Sequence, residues 1–218
     1  MKRRRTAISR VLASLAAFLV LLYVAGAPAD AETRILGLGD SLMAGYGLPP
    51  GESFPDQLQR ALAAEGIEAE VVNAGVSGDT SAGGRARLDW ALASDPHAVI
   101  LELGANDGLR GLDPAETRRN LDAILTTVGE RGVPVLLAGM LAPPNLGQEY
   151  GTEFETVFRE LAEKHDALFY PFFLDGVAGD ASLNLADGIH PTADGVAVIV
   201  ERIMPLVKRL LTRATAGK

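Results

Sequence analysis

The chain lacks several residues and motifs on which common enzyme classes depend. None of its 218 residues is cysteine, so disulfides cannot form and stability must come from the core. Only three histidines occur, scattered along the chain and without a His-Glu-x-x-His pattern, which argues against a metal site. The Gly-x-Ser-x-Gly element of α/β-hydrolases and the Gly-Lys-Ser/Thr phosphate loop are absent too. The sequence therefore predicts neither a metal nor a cofactor.

Aromatic residues and long apolar runs are also scarce. Aromatics make up 6% of the chain, and we expect the one tryptophan, Trp90, to pack in the core. The apolar run at 11–24 is shorter than the roughly 20 residues that span a bilayer. It follows basic residues at 2–5 and precedes Ala29-Asp30-Ala31, whose alanines are spaced as at a signal peptidase site. These features predict a signal peptide at 1–31 and one domain at 32–218; a retained membrane anchor is the alternative.

Positive charge is concentrated in the predicted signal peptide. Residues 32–218 carry 15 Lys and Arg against 27 Asp and Glu, a net charge of −12. The averaged field of such a surface repels nucleic acid and anionic membranes. We therefore expect a small-molecule partner and no nucleic acid. The protein is expected to be an exported monomer, periplasmic or secreted, with no stable membrane anchor after signal cleavage.

Apolar strands alternate with amphipathic helices along the rest of the chain. Strands are predicted at 34–38, 69–72, 98–103, 133–138 and 167–170. Helices are predicted at 54–65, 81–92, 113–130, 152–164 and 192–213, the third of them opened by a capping box of Asp113 and Glu116. This alternation predicts an α/β fold, a three-layer doubly wound sandwich with a mostly parallel five-stranded sheet of the flavodoxin-like type.

The most informative segment is Ile35-Leu36-Gly37-Leu38-Gly39-Asp40-Ser41-Leu42, in which an apolar strand leads directly into a glycine-flanked serine. A serine hydroxyl becomes a good nucleophile when a histidine takes its proton, and a carboxylate fixes the tautomer of that histidine. Asp187-Gly188-Ile189-His190 supplies both groups downstream. Both segments follow predicted strands, and parallel sheets bind ligands at the carboxyl ends of their strands. We therefore predict a catalytic triad of Ser41, His190 and Asp187.

Two further segments follow predicted strands between these blocks. They are Asn73-Ala74-Gly75-Val76-Ser77-Gly78-Asp79 and Gly104-Ala105-Asn106-Asp107-Gly108. Together with Gly-Asp-Ser-Leu and Asp-x-x-His, in this order, they resemble the four sequence blocks of the SGNH (GDSL) hydrolase family. The resemblance implies an oxyanion hole made of the Ser41 N–H, the Gly75 N–H and the Asn106 side-chain amide, and a reaction that needs no cofactor.

Other polar residues near these blocks are interpreted as structural. His97 and His165 precede strands, so they lie toward the opposite edge of the sheet, where a structural or solvated role is expected. Three aspartates within the blocks are interpreted as turn and cap residues: Asp40, Asp79 and Asp107.

Within the family, residues 102–112 look most like the subgroup of secreted arylesterases, acyl thioesterases and lysophospholipases. The resemblance implies a serine esterase that hydrolyses carboxylic esters or thioesters of acyl substrates, lysophospholipids included, through an acyl-enzyme. Apolar residues on the carboxyl-edge loops are predicted to bind the acyl group: Leu109, Leu112, Leu141 and Ile189. Two alternatives stay open, a carbohydrate O-acetyl esterase and a non-catalytic extracytoplasmic binding module.

Overall fold

The structure, a computed structural model, describes residues 33–216. The predicted signal peptide at 1–31 lies outside the described residues. Five strands form one sheet: β1 (Thr33–Gly39), β2 (Ala69–Gly75), β3 (Ala98–Glu102), β4 (Val135–Ala138) and β5 (Leu168–Tyr170). All neighbouring pairs are parallel, and the spatial order is β2-β1-β3-β4-β5. The predicted α/β fold with a five-stranded parallel sheet is confirmed.

Eight α-helices lie within residues 33–216. They are α1 (Ser41–Ala44), α2 (Phe54–Ala64), α3 (Ser81–Ala86), α4 (Leu88–Leu92), α5 (Ala105–Leu109), α6 (Pro114–Glu130), α7 (Gln148–Lys164) and α8 (Ala193–Ala216). A 3-10 turn at Pro144–Leu146 precedes α7. None of these helices is long and apolar enough to cross a membrane.

The chain crosses the sheet in two directions. From β1 it passes through α2 to β2 at one edge, and from β3 it passes through α6 and α7 to β4 and β5 at the other. Because such crossovers are right-handed, opposite directions place helices on opposite faces. α8 packs against α2, whereas α6 packs against α3 and α7, so each face of the sheet carries its own helical layer.

The core lies between the sheet and these layers. Every residue of β3 and β4 is buried. α8 contributes an apolar stripe at three- and four-residue spacing that is buried throughout: Val196, Ile199, Val200, Ile203, Val207 and Leu210. Each such side chain stabilises the fold by about 1.5–3 kcal/mol when fully buried, so this helix fixes one face of the sheet without any disulfide.

Two helix starts differ in their caps. At α2 the Ser53 hydroxyl accepts a hydrogen bond from the Asp56 N–H, and the Asp56 carboxylate accepts one from the Ser53 N–H, which completes a capping box. At α6 Asp113 caps the helix, but Glu116 pairs with Arg119 instead of returning to the cap. The capping box predicted at Asp113 is therefore a single cap.

The predicted helix at 81–92 is divided in two. Arg87, with φ −106° and ψ 9°, separates α3 from α4. Within α4, Leu88, Ala91 and Leu92 are buried, whereas Trp90 is 74% exposed. The prediction that Trp90 packs in the core is wrong, because a position two residues from both Leu88 and Leu92 lies on the opposite face of the helix.

Candidate active site

Three neighbouring strands end at the same level of the sheet. Gly39, the last residue of β1, pairs in register with Gly75 of β2 and Glu102 of β3. Shortly beyond these ends lie Ser41, after β1, and Asn106, after β3. This is the carboxyl edge, where open α/β sheets bind ligands.

Ser41 is the first residue of the short helix α1. The Asp40 carboxylate caps this helix by accepting a hydrogen bond from the Leu42 N–H at 3.0 Å. Gly45, with φ +80°, ends the helix in the left-handed region that favours glycine. The Ser41 N–H consequently lies at a helix start, where backbone donors have no acceptor within the helix.

Ser41, His190 and Asp187 form one chain of hydrogen bonds. His190 Nε2 lies 2.8 Å from Ser41 Oγ, and His190 Nδ1 lies 2.7 Å from Asp187 Oδ2. Asp187 Oδ1 accepts the backbone N–H groups of His190 (3.0 Å) and Ile189 (2.9 Å). These backbone bonds, followed by the His190 ring, lower the pKa of Asp187 to about 2. A charged carboxylate holds the ring proton on Nδ1, which leaves Nε2 free to accept the Ser41 hydroxyl proton.

The turn that carries Asp187 and His190 is closed at its base. The Leu185 N–H donates to the His190 carbonyl at 2.7 Å, and the Thr192 N–H donates to the Leu183 carbonyl at 2.9 Å. The buried Asn184 side chain donates two further bonds of 2.7 Å to carbonyls of the preceding loop. The acid and the base are thus fixed by a short hairpin, 183–192.

The predicted oxyanion donor Gly75 requires a correction. β2 continues three residues beyond the predicted strand, so the Gly75 N–H is turned toward its own strand and donates to Asn73 Oδ1 at 2.9 Å. Glycine is needed there for packing, since a Cβ would overlap the backbone nitrogen of Ala44. Gly78 lines the cavity instead, with φ +84°. Among residues 33–216 no protein group accepts the Gly78 N–H.

Asn106 lies in the site and joins two of its loops. Its Nδ2 donates to the Asp40 carboxylate at 3.0 Å and to the Asp79 carbonyl at 2.9 Å. Burial raises the pKa of Asp40 to about 6, although the bonds from Leu42 and Asn106 act in the opposite direction. A substrate oxygen bound by Asn106 has to replace one of these two acceptors.

A cavity of about 270 Å³ opens beside Ser41 and His190. Three of the four predicted substrate-binding residues line it: Leu109, Leu141 and Ile189. Tyr46, Leu42 and Phe172 contribute further aromatic and apolar surface. Three further lining residues lie within the quoted sequence blocks but were assigned no role there: Ser77, Gly78 and Ala105. No motif marks another three: Met140, Pro143 and Leu174.

Leu112, the fourth predicted substrate-binding residue, does not line the cavity. Gly111, with φ +62°, turns the chain before it. The Leu112 carbonyl accepts a hydrogen bond from the Tyr150 hydroxyl at 2.6 Å, which directs this segment toward α7. The prediction treated residues 109 and 112 as one apolar surface and missed the intervening turn.

Glu102 lies beneath the nucleophile loop and was not anticipated from the sequence. Its side chain is fully buried, and Oε2 accepts the Asp40 N–H at 3.2 Å. Within the described part of the chain Oε1 has no hydrogen-bond partner. Burial, reinforced by the nearby Asp40 charge, raises the pKa of Glu102 well above its ordinary value. The available signal was an isolated acid at the end of an otherwise apolar strand.

The other two histidines make structural contacts, as interpreted. His97 Nδ1 accepts the Arg34 N–H at 2.9 Å, and His165 Nε2 lies 2.5 Å from Asp122 Oδ1. Neither residue lines the cavity beside Ser41. In the range 33–216 no group of three His, Asp or Glu side chains is arranged to hold a metal ion.

A hydrogen-bonded Ser-His-Asp chain beside an apolar cavity, at the carboxyl edge of a doubly wound sheet, defines a serine hydrolase. Comparison with known proteins agrees, because the GDSL-like Lipase/Acylhydrolase family matches residues 38–198. The chain belongs to this family, and the predicted membership is confirmed.

Individual relatives cover most of the chain. Esterase TesA of Pseudomonas aeruginosa is 42% identical over 182 residues, which are 83% of this chain and 90% of the relative. Thioesterase 1/protease 1/lysophospholipase L1 of Escherichia coli K12 is 38% identical over 195 residues, which are 87% of this chain and 91% of the relative. The crystal structure of AlinE4, an SGNH-hydrolase family esterase, has 49% identity and a TM-score of 0.71, and the match covers 84% of this chain and 98% of that one.

Proposed function

We propose that this chain is a serine esterase that hydrolyses carboxylic ester or thioester bonds of acyl substrates through an acyl-enzyme. The observation that carries the proposal is the chain of hydrogen bonds from Ser41 Oγ through His190 to Asp187, at 2.8 and 2.7 Å, at the mouth of an apolar cavity. A serine in this arrangement can lose its proton as it attacks a carbonyl carbon.

The reaction takes place in two similar halves. Ser41 Oγ bonds to the acyl carbon while its proton passes to His190 Nε2, and the carbonyl π electrons move onto the oxygen. The Asp187 carboxylate stabilises the imidazolium that forms. As the carbonyl reforms, the bond to the alcohol or thiol breaks and the leaving group takes the proton from Nε2. Water then attacks the acyl-enzyme in the same way and releases the acid.

The oxyanion is stabilised by three donors in the proposed site. They are the N–H at the start of α1, on Ser41, the N–H of Gly78 and the side-chain amide of Asn106. Support comes from the lining of the cavity, which includes all three residues, and from the left-handed turn at Gly78. One such donor is typically worth about two to three orders of magnitude in turnover.

The proposed substrates are acyl esters or thioesters, with a preference for short to medium acyl groups; lysophospholipids, whose acyl chains are longer, are a second proposed class. A volume of about 270 Å³ lies just below the roughly 300–1,000 Å³ of most ligand sites, and most of the lining side chains are apolar. Relatives named as an esterase and as a thioesterase and lysophospholipase support the same classes of bond. Trp90, the side chain best suited to stack on a sugar, is not among the lining residues.

A labelling experiment tests the proposal. A fluorophosphonate should modify wild-type protein on Ser41, and Ser41→Ala should lose both labelling and ester hydrolysis while circular dichroism stays unchanged. Ser94→Ala is the matched control, because the Ser94 hydroxyl only donates to the Ala91 carbonyl, away from the cavity lining. Hydrolysis that persists in pure Ser41→Ala protein would disprove the nucleophile.

We also propose that residues 1–31 direct export and are removed, so that the mature protein is a monomer of 32–218 in the periplasm or the medium. The sequence Ala29-Asp30-Ala31 supports cleavage before Glu32. Sequencing the N-terminus of exported protein, with size-exclusion chromatography coupled to light scattering, tests both points. Met1 on membrane-bound material would instead show a retained anchor.

A further inference from the structure

Arg87 reaches from the break between α3 and α4 into the loops of the proposed site. Its Nη2 donates to the Gly39 carbonyl at 2.9 Å and its Nη1 to the Ala74 carbonyl at 2.8 Å. Its Nε donates to the Asp79 carboxylate at 2.6 Å. The two charged side chains are only 17% and 18% exposed. The end of β1, the end of β2 and the loop after β2 therefore each contribute one acceptor to a single guanidinium.

Two features of the chain allow this convergence. The break at Arg87 lets a residue with non-helical ψ direct its side chain toward the sheet edge. In addition, Gly83 and Gly84 let α3 approach closely: a Cβ on Gly83 would lie 2.6 Å from Asp79 Oδ1, and a Cβ on Gly84 would overlap Leu103. A larger residue at Gly83 would therefore displace the Asp79 carboxylate that Arg87 binds, and one at Gly84 would displace Leu103.

Two of the three acceptors are close in sequence to a proposed oxyanion donor. Gly39 is two residues before Ser41, and Asp79 directly follows Gly78. The Asp79 carbonyl also accepts the Asn106 amide at 2.9 Å. The planar, rigid fork of arginine presents separate N–H groups in fixed directions, whereas lysine has its three donors on a single nitrogen. Only arginine can hold these three acceptors at fixed relative positions.

We infer that Arg87 is a positioning residue that sets the spacing of the Ser41, Gly78 and Asn106 donors. The inference rests on the proposed function, because it assigns Arg87 a role in the same oxyanion hole. Arg87 itself does not line the cavity. Its loss should therefore weaken transition-state stabilisation and leave substrate binding nearly unchanged.

Kinetics of Arg87→Lys and Arg87→Ala test the inference, with Arg85→Ala as the control. Arg85 lies two residues earlier, in the last turn of α3, and makes one exposed contact, to Asn120 at 3.4 Å. Displacement of catalytic groups by about 1 Å can cost about 10²-fold. We expect kcat to fall roughly 10- to 100-fold in both Arg87 variants, with KM within about twofold of wild type. Arg85→Ala should match wild type.

Two further readouts separate positioning from a general loss of structure. The affinity for a medium-chain alkylboronic acid, which forms a tetrahedral adduct, should fall by the same factor as kcat, while the affinity for the fatty acid product stays constant. Added guanidine should restore part of the kcat of Arg87→Ala and leave Arg85→Ala unaffected. If Arg87→Ala does not fold, Asp79→Ala removes one of the three acceptors of Arg87, and its kcat should fall in the same direction but by less, with KM unchanged.

The outcomes distinguish this inference from the proposed function. If wild type hydrolyses esters, Ser41→Ala does not, and Arg87→Lys has the kcat of Arg85→Ala, the positioning role is wrong and the esterase proposal stands. Equal losses of boronate and fatty acid affinity would likewise overturn the positioning role. If wild type hydrolyses no ester, the proposed function itself fails.

Discussion

Replacing Asp187 with asparagine is expected to trap His190 in an unproductive tautomer while the fold persists. Asp187 Oδ1 accepts two backbone N–H groups, and the carbonyl oxygen of an asparagine can accept the same two. Oδ2 faces His190 Nδ1 at 2.7 Å, and there an asparagine places an N–H donor. Nδ1 must then become an acceptor, which moves the ring proton to Nε2, opposite Ser41 Oγ. A protonated Nε2 cannot take the serine proton.

The expected loss of kcat depends on the hydrogen bond to Asp187, on the tautomer of His190 and on the exposure of Asp187 to water. A hydrogen bond to a charged group contributes about 1.5–3 kcal/mol, a factor of roughly 10–150 in rate. A wrong tautomer beside a buried triad aspartate costs about 10⁴-fold. The Asp187 side chain, however, is 38% exposed, so water screens its charge and partly replaces it. We expect Asp187→Asn to lower kcat on the order of 10²- to 10³-fold and to change KM less than about threefold.

Steady-state hydrolysis of a p-nitrophenyl ester measures both constants. Asp180→Asn is the matched control, because the Asp180 carboxylate also accepts two bonds from a residue just ahead, the N–H (2.8 Å) and hydroxyl (2.6 Å) of Ser182. The control should retain kcat within about twofold. If Asp187→Asn retained kcat within about threefold of that control, the tautomer explanation would be refuted and Asp187 would be a turn cap only.

Three other outcomes are expected. Burial raises the pKa of the Asp40 carboxyl from its ordinary value near 4 to about 6, so between these pH values the folded state keeps a proton that the unfolded state has released. The free energy of unfolding should therefore fall by up to about 3 kcal/mol as pH rises from about 4 to about 6. Urea unfolding should show this decrease in wild type and a smaller one in Asp40→Asn; equal slopes would contradict it. Along a p-nitrophenyl ester series, each methylene should add up to about 0.8 kcal/mol, or about fourfold in kcat/KM, until the cavity is filled; a decline beyond acetyl together with hydrolysis of acetylated sugars would favour an O-acetyl esterase. Gly75→Ala should lower the melting temperature more than Gly78→Ala. A Cβ at Gly75 would overlap the Ala44 backbone, whereas a Cβ at Gly78 would lie 4.0 Å from its nearest neighbour, Arg110. The reverse order in differential scanning calorimetry would show that the strain of the left-handed φ at Gly78 outweighs the overlap at Gly75.

The sequence predicted the parts of the site that depend on strand ends. Ser41 directly follows an apolar strand, and the Asp-x-x-His spacing needs only a four-residue turn, so local patterns were sufficient to predict both. Gly75 was assigned from the resemblance, whose second block contains two glycines; pairing with β1 extends β2 to Gly75, and it is Gly78 that lines the cavity. Strand length here is set by the neighbouring strand, which periodicity does not reveal.

Arg87 and Trp90 show a second limit. Both lie in a segment predicted as one helix. Trp90 is exposed because it lies opposite the buried Leu88 and Leu92, which the spacing within the helix already indicates. Arg87, to which no role was assigned from the sequence, lies at the break between α3 and α4 and donates to carbonyls at the ends of β1 and β2. A break of this kind is decided by tertiary hydrogen bonds, and helix propensity differs too little between neighbouring residues to predict it.

The position of the acid and the base in one short hairpin determines which distance in the triad can vary. Asp187 and His190 are three residues apart and share backbone hydrogen bonds, so thermal motion of 183–192 carries them as a unit. Only the distance from His190 Nε2 to Ser41 Oγ depends on how separate parts of the chain pack. Warming should therefore lengthen that one contact well before the carboxylate leaves the ring, and activity should decline while the histidine keeps its tautomer.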